Sequence, residues 1–281
     1  MAIVSFWSDS EKETGQTLAS VAIATLMAIN HNFKILEVAT GFKDRTVENC
    51  FWEQEKDDTL KDILGTRTRD VGMNNGIEGL VKVLQSNRTS TNVVADYAKV
   101  VFRERLDVLV APSTTHRDAY DSITQYYPEL VKIADKNYNI VFIDIDKRMK
   151  EEHKRAILQA SDAIVITFKQ GMDSLNEFDK LREKNPIFKM NRSLLLLGKY
   201  DRYSKYNTKN TSRYLKESRT ISAISYNTLF GEAASEGKVA DYFLKYRSLT
   251  EQTDKNVLFI QEAKKTCDNI LYKLKELQAK V

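Results

Sequence analysis

Gly15, Gln16 and Thr17, at the mouth of an alanine-rich apolar run, are the residues of this chain whose types and spacing best fit phosphate chemistry. A β-type run, Ile3 to Trp7, leads through the polar loop SDSEKET into them, and Leu18 to Ile29 reads as a buried helix. A loop laid out in this way closes backbone N–H groups on an anion and aims the start of a helix at it. The pattern GxxxxGK[ST] states the full requirement: two glycines for close backbone approach, a lysine for phosphate charge and a hydroxyl for Mg²⁺. Ser10, Gly15, Gln16 and Thr17 occupy those positions here, so the second glycine and the hydroxyl are kept while the first glycine and the lysine are not. Glu11 and Glu13 add negative charge to the loop, and Lys12 offsets part of it. The residues placed to contact a nucleotide are Ser10, Lys12, Thr14, Gly15, Gln16, Thr17 and Leu18, with Thr17 as a Mg²⁺ ligand. Gln16 can donate a hydrogen bond but brings no charge, and a unit pair roughly 4 Å apart is worth about 4 kcal/mol at an effective dielectric near 20. ATP and Mg²⁺ are therefore expected to bind weakly; the alternative is a turn retained only to launch a core helix.

Such a loop needs a sheet to present it. Runs rich in Ile, Val and Leu recur at Ile3 to Trp7, Lys34 to Ala39, Asp107 to Ala111, Asn139 to Asp144, Ala163 to Phe168, Leu194 to Gly198 and Ile221 to Tyr226. Between them lie amphipathic stretches such as Tyr120 to Asp135 and Lys147 to Ala160, with apolar residues three and four apart. Strands apolar on both faces, alternating with helices, predict an α/β fold: a doubly wound, mostly parallel sheet flanked by helices. Ligands of such folds sit at the carboxyl ends of strands, which directs attention to the loops after Trp7, Ala39, Ala111 and Asp144. Thr66 to Asn75 reads as a mobile insertion.

Composition narrows the function classes. At 281 residues, 42% hydrophobic and 29% charged, the chain reads as one large domain with an ordinary core. A net charge of +4 falls short of the density expected of a protein built mainly to coat nucleic acid. Cys50 and Cys267 are the only cysteines, without CxxC spacing, and the histidines are scattered, so neither a disulfide framework nor a metal centre of that kind is suggested. No apolar run is long enough to span a bilayer, and a cytoplasmic location is expected.

In the order of its motifs the sequence resembles the ParA/MinD family of deviant-Walker-A P-loop ATPases, and more particularly its TadZ/CpaE-like members associated with pilus and secretion machinery. The resemblance covers roughly residues 1–250, leaving 251–281 as a C-terminal amphipathic helix. SFWS and TGQTLASVAIATLMA look like the family's loop and first helix, KILEVATG like its second strand, and DVLVAPSTTHRDAY like the strand and proline-containing loop that follow. YNIVFIDID is similar to the Walker B strand, which implies that Asp144 serves Mg²⁺ together with Thr17. ASDAIVITFKQGMDSLNEFDKL resembles the next strand and helix. AISYNTLFGEAASEGKVADYF resembles a late loop that contacts the base, and this implies nucleotide contacts from Tyr226 and Asn227. The departures are equally specific. Glu11 stands where the family's signature lysine reaches across a dimer, and Ala39 where an acidic residue helps the attacking water. Phosphoryl transfer depends on positioning and charge neutralisation, so these changes imply a pseudo-ATPase or weak ATP binder.

The resemblance implies a positioning or assembly factor, acting as a homodimer with protein partners of a pilus or secretion apparatus. The rival readings are an active ParA-type ATPase for DNA partitioning or plasmid segregation, and a purely structural interaction module. Lys199 to Arg219 carries seven Lys/Arg with interleaved tyrosines, a pattern that can track nonspecific DNA or simply form a solvated face. Ile260, Ala263, Cys267, Ile270, Leu274, Leu277 and Val281 form one apolar stripe at helical spacing. That stripe is expected to pack on its own domain or to mediate association. Peripheral membrane contact is the least favoured use, because Glu262, Asp268 and Glu276 dilute the basic face.

Overall fold

The computed structural model describes residues 2–8, 14–53, 76–86, 92–251 and 253–278. The segment Thr66 to Asn75, expected to be an insertion, lies outside them. Eight strands form one sheet in the order β3-β4-β2-β5-β1-β6-β7-β8. They are β1 Ala2–Trp7, β2 Ile35–Ala39, β3 Lys99–Phe102, β4 Leu106–Leu109, β5 Ile140–Asp144, β6 Ala163–Phe168, β7 Ser193–Tyr200 and β8 Ile221–Ser225. All neighbours pair in parallel except β3, which runs antiparallel to β4 at the edge. This is the doubly wound α/β sheet expected from the sequence. The central strands are buried along their length because helices cover both faces.

Alternation along β1 divides the core. Val4 and Phe6 join one apolar layer with Ile23, Phe142, Phe259 and Ile270, while Ile3 and Trp7 join the other with Val38, Tyr127, Ile143 and Leu195. The first layer lies under α1 (Gln16–Asn30), whose Ala19, Ala22, Ala24 and Ala28 are buried, and small side chains let a helix approach a sheet closely. The C-terminal helix, Lys255–Gln278, packs on α1 and β8 in the same layer. It buries Ile260, Ala263, Cys267, Ile270 and Leu274 of the expected stripe, and Leu277 is half-buried. Val281 lies outside the described residues. Polar contacts fix the register of this seam: Glu262 accepts the Ser225 N–H at 2.8 Å and Asn269 donates to Ser222 Oγ at 2.9 Å.

Two local expectations change. The stretch Tyr120 to Asp135 is not one helix but two, Arg117–Thr124 and Tyr127–Ala134. Pro128 sits in the first turn of the second, where a proline is tolerated; in a continuous helix its ring would clash with the carbonyl four residues back. The helix expected from Lys147 begins only at Glu151, because Asp146 accepts the Arg148 backbone N–H at 2.7 Å and holds the intervening residues in a turn. Strand β3 gave no sequence signal: it is four residues long, lies at an edge, and leaves Val100 58% exposed.

Candidate functional site

The carboxyl ends of β1, β2 and β5 meet at one level, with Phe6 and Ala39 both paired in register to Asp144. Strand order departs in opposite directions on either side of β1, and that is where an open parallel sheet leaves a crevice. A cleft of about 380 Å³ opens there, lined by residues 14–18 at the entry to α1, residues 144–148 at the end of β5 and beyond it, Ser8, Ala39, Gly41, Asp44, Thr46, Val47 and Lys199.

The loop enters α1 through Gly15, whose φ of +81° is readily adopted only by glycine. Gly15 is the N-cap, no side chain among the described residues caps the helix, and its first turn contains no acidic residue. The N–H groups of that turn and the positive end of the helix dipole therefore face the cleft with no acidic side chain in the turn itself. Strand β7 presses against the loop from the other side. A Cβ on Gly198 would lie 2.1 Å from the Thr14 carbonyl oxygen, so only glycine fits where the two backbones touch.

Gln16 and Thr17 both turn onto Asp144. The Gln16 amide donates to Asp144 Oδ1 at 2.7 Å and to the Ile145 carbonyl at 3.0 Å, and the Thr17 hydroxyl donates to Asp144 Oδ2 at 2.7 Å. Burial pushes the Asp144 carboxyl up to about 6, against the opposing pull of these two hydrogen bonds, so it remains ionised at neutral pH. Asp146 does not pair with Asp144. It accepts the Phe42 N–H at 2.6 Å and binds Arg148 at 2.6 Å, and Arg148 also reaches Asp44 at 3.8 Å and lies over the Phe42 ring. The segments after β2 and β5 are thereby fastened to each other. Among the described residues no cluster of three or more His, Cys, Asp or Glu could hold a metal. Thr17 and Asp144 supply adjacent oxygens of the kind Mg²⁺ takes and are the residues that would hold it.

Not every expected contact is assembled. The structure brings together Thr14, Gly15, Gln16, Thr17, Leu18 and Asp144 at the cleft. Ser10 and Lys12, with Glu11 and Glu13, lie outside the described residues. Tyr226 and Asn227 do not line the cleft. Tyr226 is 65% exposed, whereas Asn227 is buried and its side chain is used within the fold. It caps the helix Thr228–Ser235 by accepting from Phe230 N, and it donates to Asn256 Oδ1 at 3.0 Å. Of the basic run, Arg219 is committed to Glu217 and the Phe188, Met190 and Ser193 carbonyls. Arg202 and Lys205 lie over Tyr203 and Tyr206.

Sequence reasoning passed over Glu37. It sits at the centre of β2, fully buried, and accepts from Ser20 Oγ at 2.5 Å, while its Oε2 has no partner among the described residues. Burial pushes its carboxyl up to about 8, so it is neutral at pH 7. The signal was an acid inside the otherwise apolar run ILEVA. Ser8 was also passed over: it is buried, lines the cleft, and its Oγ has no hydrogen-bond partner among the described residues.

No protein-family model matches the sequence, nor does any curated protein. Solved structures do match. A ParA family ATPase from Chlorobium tepidum TLS superposes with a TM-score of 0.67 at 15% identity, covering 92% of this chain and 98% of that one. The septum site-determining protein MinD from Pyrococcus horikoshii OT3, complexed with Mg-ADP, gives 0.63 at 14% identity over 94% and 95%. A putative plasmid partition protein from Borrelia burgdorferi B31, bound to AMPPNP, gives 0.57 at 14% identity over 99% and 98%. Strand order, loop position and near-complete coverage together give this chain the fold of the ParA/MinD-type P-loop NTPases.

Proposed function

We propose that this chain is a ParA/MinD-like positioning or assembly factor that takes ATP weakly and hydrolyses it little. The observation that carries the reading is Gln16: a neutral amide stands at the lysine position of the loop, and it is fastened to Asp144 and Ile145. The residues present fit a phosphate in part. The uncapped start of α1 and the unpartnered Ser8 hydroxyl favour an anion, while Asp144 and the neutral Gln16 supply no positive charge. The chemistry that Mg²⁺ would supply there is neutralisation of phosphate charge. Thr17 and Asp144, joined by a 2.7 Å hydrogen bond, would hold that ion, since the Thr17 hydroxyl can offer it a lone pair while still donating to Asp144. Ala39 lines the cleft with a methyl group where a carboxylate would be needed to orient water, so slow hydrolysis follows.

The partner side of the proposal rests on the resemblance to TadZ/CpaE-like proteins: a homodimer docking components of a pilus or secretion apparatus in the cytoplasm. A DNA-partitioning role is the second reading. It is favoured by the exposed Arg202, Lys205 and Lys209 in the run after β7, and it calls for retention on DNA that falls steeply with salt. Calorimetry with Mg-ATP tests the main reading. Gln16→Lys is expected to tighten binding about tenfold or more by adding a charge-assisted phosphate contact. Equal, tight binding by both forms, or brisk turnover by the unmodified chain, would refute it.

A further inference from the structure

Lys199 stands at the carboxyl end of β7, far along the chain from the loop, yet it lines the same cleft. Its stem lies along the loop: a Cβ placed on Gly15 would be 3.2 Å from Lys199 Cγ and 3.5 Å from Lys199 N. Two features of the backbone aim it there. The pairing of β7 with β8 slips between Leu197 and Tyr200, and Lys199 adopts a φ of +48°, a left-handed conformation that a lysine rarely takes. The contact of Gly198 with the Thr14 carbonyl holds this bend against the loop. Backbone strain maintained by surrounding contacts is characteristic of sites where a side chain must be aimed. Independently, the Ser8 hydroxyl lines the cleft at 6% exposure and has no hydrogen-bond partner among the described residues, a buried polar group that a ligand oxygen would satisfy.

We infer that Lys199, with Ser8, completes a phosphate-binding site at the start of α1, supplying from β7 the positive charge that Gln16 does not supply from the loop. The inference rests on the proposed nucleotide reading and sharpens it: the ligand is a polyphosphate, gripped by an ammonium group from across the cleft. The Lys199 ammonium binds the phosphate oxygens as a point charge, the Ser8 hydroxyl donates to one of them, and the N–H groups of the first turn of α1 close the third side.

The test is calorimetry on the full chain with Mg-ATP, inorganic triphosphate and adenosine. Lys199→Asn keeps the left-handed backbone, since asparagine tolerates it, and removes the charge. It should weaken ATP and triphosphate binding by roughly tenfold to a hundredfold, with adenosine unaffected. Lys199→Arg should retain most of the affinity, and Gln16→Lys placed on Lys199→Asn should restore it. Ser8→Ala should give a smaller loss in the same direction. Lys199→Gln provides a second charge-removing variant should the asparagine form fail to fold. If charge-removing variants bind ATP as tightly as the unmodified chain, the role of Lys199 is overturned while the nucleotide reading stands. If the unmodified chain binds neither ATP nor triphosphate, both fall.

Discussion

The first turn of α1 and the turns behind it face opposite environments. Behind, Ala22, Ile23 and Met27 are closed off from water between the sheet and the C-terminal helix, whose Ala263, Cys267 and Ile270 are equally buried. Cys267 even points its thiol at the Ile23 carbonyl, 3.6 Å away. At the front, Gln16 and Thr17 converge on a buried carboxylate, Glu37 lies protonated beneath Ser20, and Gly15 and Lys199 both hold left-handed backbone. The seam is stabilised by burial with little cost, whereas the cleft retains groups whose burial costs free energy. The difference teaches that the stability of this fold comes from the apolar side, and that the polar side is held in place by it.

The largest expected effect breaks the seam. Ile270, fully buried on the C-terminal helix, fills the layer beneath α1, and Ile270→Ala should cost about 2–5 kcal/mol in urea unfolding, with the cleft carried along. A cost typical of a surface site would mean that the helix is only loosely attached.

Removing the buried acid of β2 should stabilise the cleft and so sharpen the contrast. Folding raises the Glu37 carboxyl from 4.5 to about 8, so between those pH values the folded protein keeps a proton that the unfolded chain releases. Its contribution therefore falls as pH rises from 4.5 to about 8 and is level above that range. Glu37→Gln has the same shape and cannot ionise. It should raise stability on the order of 2–3 kcal/mol at pH 7, with the gain shrinking toward pH 4.5. Parallel pH profiles for the two proteins would show that Glu37 is not buried as a neutral acid. The smallest effect belongs to neither region: Arg202 is exposed in the loop after β7, and Arg202→Ala should change stability by less than about 0.5 kcal/mol.

How far the sequence could be read depended on whether the signal was local. Ala163 to Phe168 stood out as a strand with its boundaries intact because a central parallel strand is apolar on both faces. Lys99–Phe102 did not, because an edge strand of four residues carries no such run and is defined by its partner β4. The loop at Gly15 was legible from its punctuation. Asn227 shows the limit of a local reading: an asparagine before Thr-Leu-Phe reads equally as a helix cap, and it is the tertiary structure that brings its side chain to Phe230 N and Asn256.

By itself, then, the sequence determined the sheet, the α1 launch site and the apolar stripe of the last helix, since hydrophobic periodicity encodes which side of each element is buried. Only the tertiary structure decided which polar side chains share the cleft. Gln16 meets Asp144 across 128 residues, and Lys199 is laid against Gly15 from two strands away. Those encounters follow from strand order and from the close contact of Gly198 with the loop, and no local preference of either partner specifies them.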